Sequence, residues 1–108
     1  MQGETLDRRL QCAARQVRMG SRLADIGTDH ALLPVALVRS GVCPYAVASD
    51  IRTDPAERAR RAVEEAQLAD RIEVRLGPGL SVLQPEEADD LVIAGMGGET
   101  IVSILGEA

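Results

Sequence analysis

Leu6, Leu10, Ala13, Ala14 and Val17 recur at three- and four-residue spacing, which predicts an amphipathic helix from Thr5 to about Arg18, stopped by Gly20. Residues 22–26 read as a short buried strand that breaks at Gly27. A helix follows from about Ala31 to Ser40, apolar at Leu33, Ala36 and Leu37 and ended by Gly41, with Pro34 tolerated in its first turn. Tyr45 to Ser49 is a second strand closed by Asp50. Asp54-Pro55-Ala56-Glu57 then has the form of a helix start, with Asp54 as cap, Pro55 first in the helix and Glu57 completing a capping box. Ala59, Ala62, Val63 and Ala66 supply that helix's apolar stripe.

Arg71 to Leu76 alternates as a strand and runs into the turn Gly77-Pro78-Gly79. Leu80 to Leu83 reads as one helical turn before Pro85. Asp90 to Ala94 is a fourth strand, apolar after its acid. Gly95-Met96-Gly97-Gly98 is the next turn, and Glu99 to Gly106 reads as another helix. Strands alternating with helices predict an α/β fold with a parallel sheet, right-handed crossovers and helices on both faces.

Composition narrows the class. The 108 residues are 45% hydrophobic and 27% charged, as in a soluble globular domain, and no apolar run approaches a membrane span. The polar start, Met1 to Arg8, is unlike a signal peptide, so a cytoplasmic protein is expected. Cys12 and Cys43 are expected as free thiols, and with a single histidine they make no zinc site. A net charge of −5 argues against general electrostatic capture of nucleic acid. Locally the balance differs. Arg8, Arg9, Arg15, Arg18 and Arg22 crowd the first segment, Arg58, Arg60 and Arg61 another, and acids gather at Glu86-Glu87-Ala88-Asp89-Asp90. Solvated helix faces account for such arginines as readily as a binding patch. Tyr45 is the only aromatic residue, so a bound base would not be sandwiched between rings.

Candidate chemistry collects at the strand ends, where open parallel sheets bind small ligands. The first turn, Asp25-Ile-Gly27-Thr28-Asp29-His30, has one glycine where a dinucleotide loop has three, and its acids suit a cationic or zwitterionic ligand better than a pyrophosphate. Gly27 permits close approach to the backbone, and Asp25 can receive an ammonium. Asp50 stands where an acid meets ribose hydroxyls in nucleotide-binding βαβ units. The Gly77–Gly79 turn offers backbone amides for a base, and Met96 a flexible apolar contact. His30, the only histidine, stands beside Asp29 at this rim, and Asp29 also has the chemistry to cap the following helix.

Arg9-Leu10, Ala24-Asp-Ile-Gly-Thr-Asp-His-Ala31 with Leu33-Pro34, Ala48-Ser-Asp50, Arg75-Leu-Gly77 with Gly79-Leu80, and Ile93-Ala-Gly-Met-Gly-Gly98 together resemble the TrmK family of bacterial tRNA methyltransferases, from about Leu6 to Leu105. The resemblance implies a Rossmann-like class I methyltransferase fold, S-adenosyl-L-methionine as cofactor and N1-methylation of adenine at tRNA position 22. It implies no metal. Cofactor contacts fall on Asp25, Gly27, Thr28, Asp50, Ile51, Gly77, Pro78, Gly79, Ala94 and Gly95, and catalysis on Asp29, His30 and Met96. Asp25 and Gly27 would meet the methionine end, Asp50 the ribose and the Gly77–Gly79 turn the adenine. Asp29, His30 and the turn at 95–98 would face the target base. Position 78 departs from the family: Pro78 stands where an Asp typically accepts from the adenine amino group.

The resemblance also implies that residues 1–108 are the N-terminal part of the methyltransferase domain, a partial sheet of four strands in the order 3-2-1-4. The family's remaining strands and its C-terminal helical, tRNA-holding domain would be absent, leaving the fourth strand with an unpaired flank open to self-association. Two alternatives stand beside an active methyltransferase. One is a non-catalytic cofactor-binding half-domain or inactive truncated paralogue. The other is a nicotinamide-dependent oxidoreductase fragment, which rests on the βαβ pattern and Asp50 and lacks the three-glycine fingerprint.

Overall fold

A computed structural model of the chain describes residues 8–28, 31–78, 88–94 and 100–104. Its elements in order are α1 (Arg8–Gln16), β1 (Leu23–Ile26), α2 (Leu32–Arg39), β2 (Ala46–Asp50), α3 (Thr53–Glu65), β3 (Ile72–Leu76), β4 (Asp90–Ala94) and β5 (Thr100–Ile104). The five strands form one sheet in the order β3-β2-β1-β4-β5. The pairs β1–β2, β2–β3 and β1–β4 are parallel, with Asp25 opposite Ala48 and Val92. The chain steps from β1 outward to β3 and returns to the other side of β1 as β4, so the order reverses beside β1. That reversal is the place where such sheets bind ligands.

The expected helix over 99–106 is corrected: Thr100 to Ile104 is a strand, paired antiparallel to β4 with Ala94 opposite Thr100. Thr100, Ile101, Val102 and Ile104 are β-branched, which restricts their rotamers in a helix and suits a pleated strand. The sheet is therefore mixed rather than parallel throughout. The flank of β4 that was expected to lie open is occupied by β5, which removes the basis for self-association through β4.

The core lies between α1–α3 and one face of the sheet. Leu23, Ala46, Ala48, Ile72 and Val92 share that face through the strand register and pack with Ala13, Val17, Leu33, Leu37, Val38, Ala59 and Val63. Small alanines on β2 let the helices approach closely, consistent with a core that has no aromatic ring. Ala24, Val47 and Leu91 point the opposite way and are also buried. The described helices thus share one face. The helical turn expected at 80–83, which would serve the second face, lies outside the described residues.

α2 ends where expected and for the expected reason. Gly41 takes φ +87°, its amide donates to Val38 O, and Val42 N donates to Leu37 O, closing the helix with a left-handed residue. A Cβ at Gly41 would meet nothing within 4 Å, so Gly41→Ala isolates the backbone cost. It is expected to lower stability by about 1 kcal/mol in urea unfolding, and an unchanged midpoint would contradict this. α3 closes the same way through Gln67 at φ +61°. Its start is corrected. Arg52 is the cap and Thr53 the first helical residue, so Asp54 and Pro55 fall inside the first turn and no capping box forms. Asp50 explains the earlier start, because its Oδ1 accepts the Arg52 amide at 3.0 Å and turns the chain directly out of β2.

Arginines that read as a surface cluster hold the sheet's amino edge. Arg18 donates from its backbone N (2.8 Å), Nε (2.9 Å) and Nη2 (2.6 Å) to the carboxylate of Asp90, which is fully buried. Arg22 donates to Asp89 from its backbone N, Nε and Nη2, while Asp89 N donates back to Arg22 O. These bonds tie the link between α1 and β1 to the first residue of β4. Two members of the apparent acidic run are therefore structural partners.

Candidate functional site

Gly27, at the carboxyl end of β1, has φ +74°, a conformation that favours glycine. It turns the chain over β2. The amides of Gly27 and Thr28 both donate to Ser49 O, at 2.8 and 3.0 Å, continuing the parallel ladder one step past the strand. At the end of β2, Asp50 O accepts the Gly77 amide at 2.9 Å and draws the β3 turn to the same rim. Asp25, Gly27, Thr28, Asp50, Ile51, Gly77 and Pro78 are thus brought to one edge of the sheet, as the sequence predicts.

Thr28 Oγ1 donates to Asp25 Oδ2 at 2.8 Å, and both residues are buried. Burial raises the Asp25 pKa to about 7, against the Thr28 hydrogen bond and with help from the charge on Asp50. Asp25 is therefore protonated in the folded chain up to about pH 7, whereas in the unfolded chain it ionises near its ordinary value of 3.8. Folding takes up a proton across that window, so stability from this group falls as pH rises from about 4 to about 7. Asp89 works the other way. The Arg22 hydrogen bonds lower its pKa to about 2, and its contribution is lost as pH falls from about 4 toward 2. Chemical unfolding across pH is expected to show a decline on the neutral side that Asp25→Asn flattens. A variant that kept the full slope would contradict the assignment to Asp25.

Asp50 is buried at the end of β2, inside the strand rather than after it. Its Oδ1 accepts from Arg52 N and Nε, and its Oδ2 from Arg52 Nη2 at 3.3 Å. The arginine is mostly exposed, whereas the acid is buried at the end of its strand. Ile51 and Leu76 lie exposed at the ends of β2 and β3 beside it, 68% and 47% accessible, an apolar pair at a rim otherwise built of acids and amides. Apolar side chains left open at a sheet's carboxyl rim suit the face of a planar ring.

Ala94 is the last residue of β4 by its backbone pairing. Asp29, His30, Gly79, Gly95 and Met96 lie outside the described residues. The cap expected from Asp29 is taken in the backbone by Ala31, which adopts φ +53° with no side-chain capping bond and is fully buried. A left-handed alanine costs on the order of 1 kcal/mol, strain of the sort that collects at functional turns. Nothing in the sequence marks Ala31, Arg52 or the Ser49 carbonyl. Cys12 and Cys43 are free thiols, one exposed and one buried, as expected, and burial raises the Cys43 pKa. Among the described residues no group of acids, cysteines or histidine could hold a metal ion.

The profile of a family described as a methyltransferase domain matches residues 6–108. The tRNA (adenine(22)-N(1))-methyltransferase of Bacillus subtilis is 44% identical over 100 residues, covering 93% of this chain and 42% of the relative. The crystal structure of the B. subtilis tRNA methyltransferase TrmK superposes with a TM-score of 0.82 at 42% identity, over 85% of this chain and 39% of that one. Mycoplasma capricolum TrmK, solved with S-adenosyl-homocysteine, gives a TM-score of 0.77 at 36% identity, over 85% of this chain and 42% of that one. The chain thus spans about two fifths of the length of these relatives.

Proposed function

The chain belongs to the methyltransferase-domain family, and from that premise we propose that its rim binds S-adenosyl-L-methionine and serves N1-methylation of adenine 22 in tRNA. The observation that carries the reading is the convergence of the Asp25–Thr28 pair, Gly27 and Asp50 at the point where the strand order reverses. The donor set fits the cofactor end to end. Asp25 is a carboxylate for the ammonium of the methionine moiety, whose arrival would displace the proton that burial holds there. α2 follows the β1 turn, and a helix N-terminus favours a carboxylate such as that of the methionine moiety. Asp50 Oδ1 and Oδ2, which accept from Arg52 in the structure, are the acceptors for the two ribose hydroxyls. Ile51 and Leu76 lie against the face of adenine, and the Gly77 turn edges it. Pro78 brings no side-chain acceptor to the adenine amino group, so backbone and apolar contacts carry base recognition.

When bound, the cofactor supplies an electrophilic methyl group on sulfur. Adenine N1 carries a lone pair at neutral pH, so the protein's task is alignment and the exocyclic proton. Asp29 is the group for the amine, His30 positions the base, and Met96 packs on a base turned out of its stack.

The test is methyl transfer from radiolabelled cofactor to a tRNA transcript, beside one with guanine at position 22. Incorporation in the first and none in the second is expected. Equal labelling of both, or of neither, would overturn the assignment. A chain that binds S-adenosylhomocysteine and transfers no methyl would be the non-catalytic half-domain.

A further inference from the structure

α1 has the sequence Arg8-Arg-Leu-Gln-Cys-Ala-Ala-Arg-Gln16, with three arginines and no acid. Its core side is Ala13, continued by Val17, with Leu10 and Ala14 partly buried. Arg8, Arg9, Cys12 and Gln16 fall on one flank at helical spacing and, with Ala13, line an open groove of about 470 Å³. Gln16 Nε2 donates to Cys12 O at 3.4 Å and lies 3.9 Å from its Sγ, so an amide and a thiol form one end of the groove. Two guanidinium groups stand at the other end. Arg9 makes a further contact within the chain. Arg8 is exposed and makes no hydrogen bond or ion pair among the described residues.

Arg18 is bonded to Asp90 at the first residue of β4, so α1 ends at the sheet's amino edge. All twelve basic side chains of the molecule are arginines, whose planar forks match phosphate oxygens in pairs. With a net charge of −5, the chain cannot hold a polyanion by its overall field, so any phosphate contact has to be local and built.

We propose that the α1 groove seats a backbone phosphodiester of the RNA substrate. This rests on the tRNA reading above and adds a contact outside the cofactor site. Phosphate contacts fix register and orientation without reading sequence, which suits a groove of two guanidinium groups and an amide.

Cys12 reports on the groove directly, and buried Cys43 serves as its internal control. Alkylation of the chain by N-ethylmaleimide would be followed by mass spectrometry with tRNA, with inorganic phosphate, or with S-adenosylhomocysteine. Bound tRNA is expected to slow Cys12 modification at least about fivefold, and the two small molecules to leave it unchanged. In filter binding, Arg8→Gln is expected to weaken tRNA binding about threefold and to lower its salt slope by about one, and Arg8→Glu to weaken it about tenfold, both keeping wild-type affinity for S-adenosylhomocysteine. tRNA that binds while Cys12 stays fully reactive, or binds Arg8→Glu as tightly as wild type, would overturn the groove and leave the substrate reading standing. Protection by inorganic phosphate would make it a free-anion site and would also overturn it. A wild-type chain that binds S-adenosylhomocysteine and no tRNA would sink both.

Discussion

Asp50→Ala is expected to weaken S-adenosylhomocysteine binding about thirtyfold while the chain still folds. Two ribose hydroxyls donating to one carboxylate are charge-assisted bonds of about 1.5–3 kcal/mol each, and a net loss near 2 kcal/mol is about thirtyfold in affinity. The stability cost is smaller, because the Arg52 partner is 65% exposed on its side chain and such a pair contributes little in water. The lost Arg52 amide bond and the earlier turn into α3 account for a further part. Asp50→Asn separates the two effects: it keeps a side-chain oxygen for the Arg52 amide and loses the charge that strengthens the ribose bonds. Titration calorimetry on both variants checks this, and wild-type affinity in Asp50→Ala would remove Asp50 from the cofactor site.

The largest expected loss of stability comes from the opposite end of the sheet. Arg18→Ala removes two side-chain hydrogen bonds from the fully buried Asp90 carboxylate and a third from Asp89 O, and of Arg18's bonds only the backbone amide at 2.8 Å remains. Burial opposes the charge on Asp90, and the Arg18 bonds outweigh it to hold the carboxyl below its ordinary range. Breaking such a pair from one side costs about 3–5 kcal/mol, a large share of the roughly 5–15 kcal/mol of a whole domain. In urea, Arg18→Ala is expected to unfold at a much lower midpoint than wild type. Asp90→Leu combined with Arg18→Met should recover most of that loss, because both charges leave together. A single variant within 1 kcal/mol of wild type would show that the pair is not structural.

Much of this fold could be read from pattern. Period-two and period-3.6 apolar spacing located β4 to the residue, placed α2 and β3 within one or two residues, and gave β1 its short buried form. The rim residues Asp25, Gly27, Asp50 and Gly77 were identifiable because strand ends followed by glycine or acid carry a local signal. Three features escaped for a common reason: their causes are not local. Asp89 and Asp90 read only as part of a gathered acidic run because their partners, Arg22 and Arg18, lie about seventy residues away in sequence. The residues 100–104 carry a helical spacing and a β-branched composition at once, and pairing with β4 decided between them. Asp54-Pro55 has the composition of a helix start, but the Asp50–Arg52 contact had already turned the chain into the helix two residues earlier.

The central claim is that the rim of β1, β2 and β3 is a site for S-adenosyl-L-methionine. Titration calorimetry of the chain with S-adenosylhomocysteine tests it most directly, with a nicotinamide dinucleotide as the competing ligand. One molecule of S-adenosylhomocysteine per chain, bound tightly enough to raise the unfolding temperature, with no heat from the dinucleotide, is the predicted result. No binding of S-adenosylhomocysteine, or preference for the dinucleotide, would contradict the account.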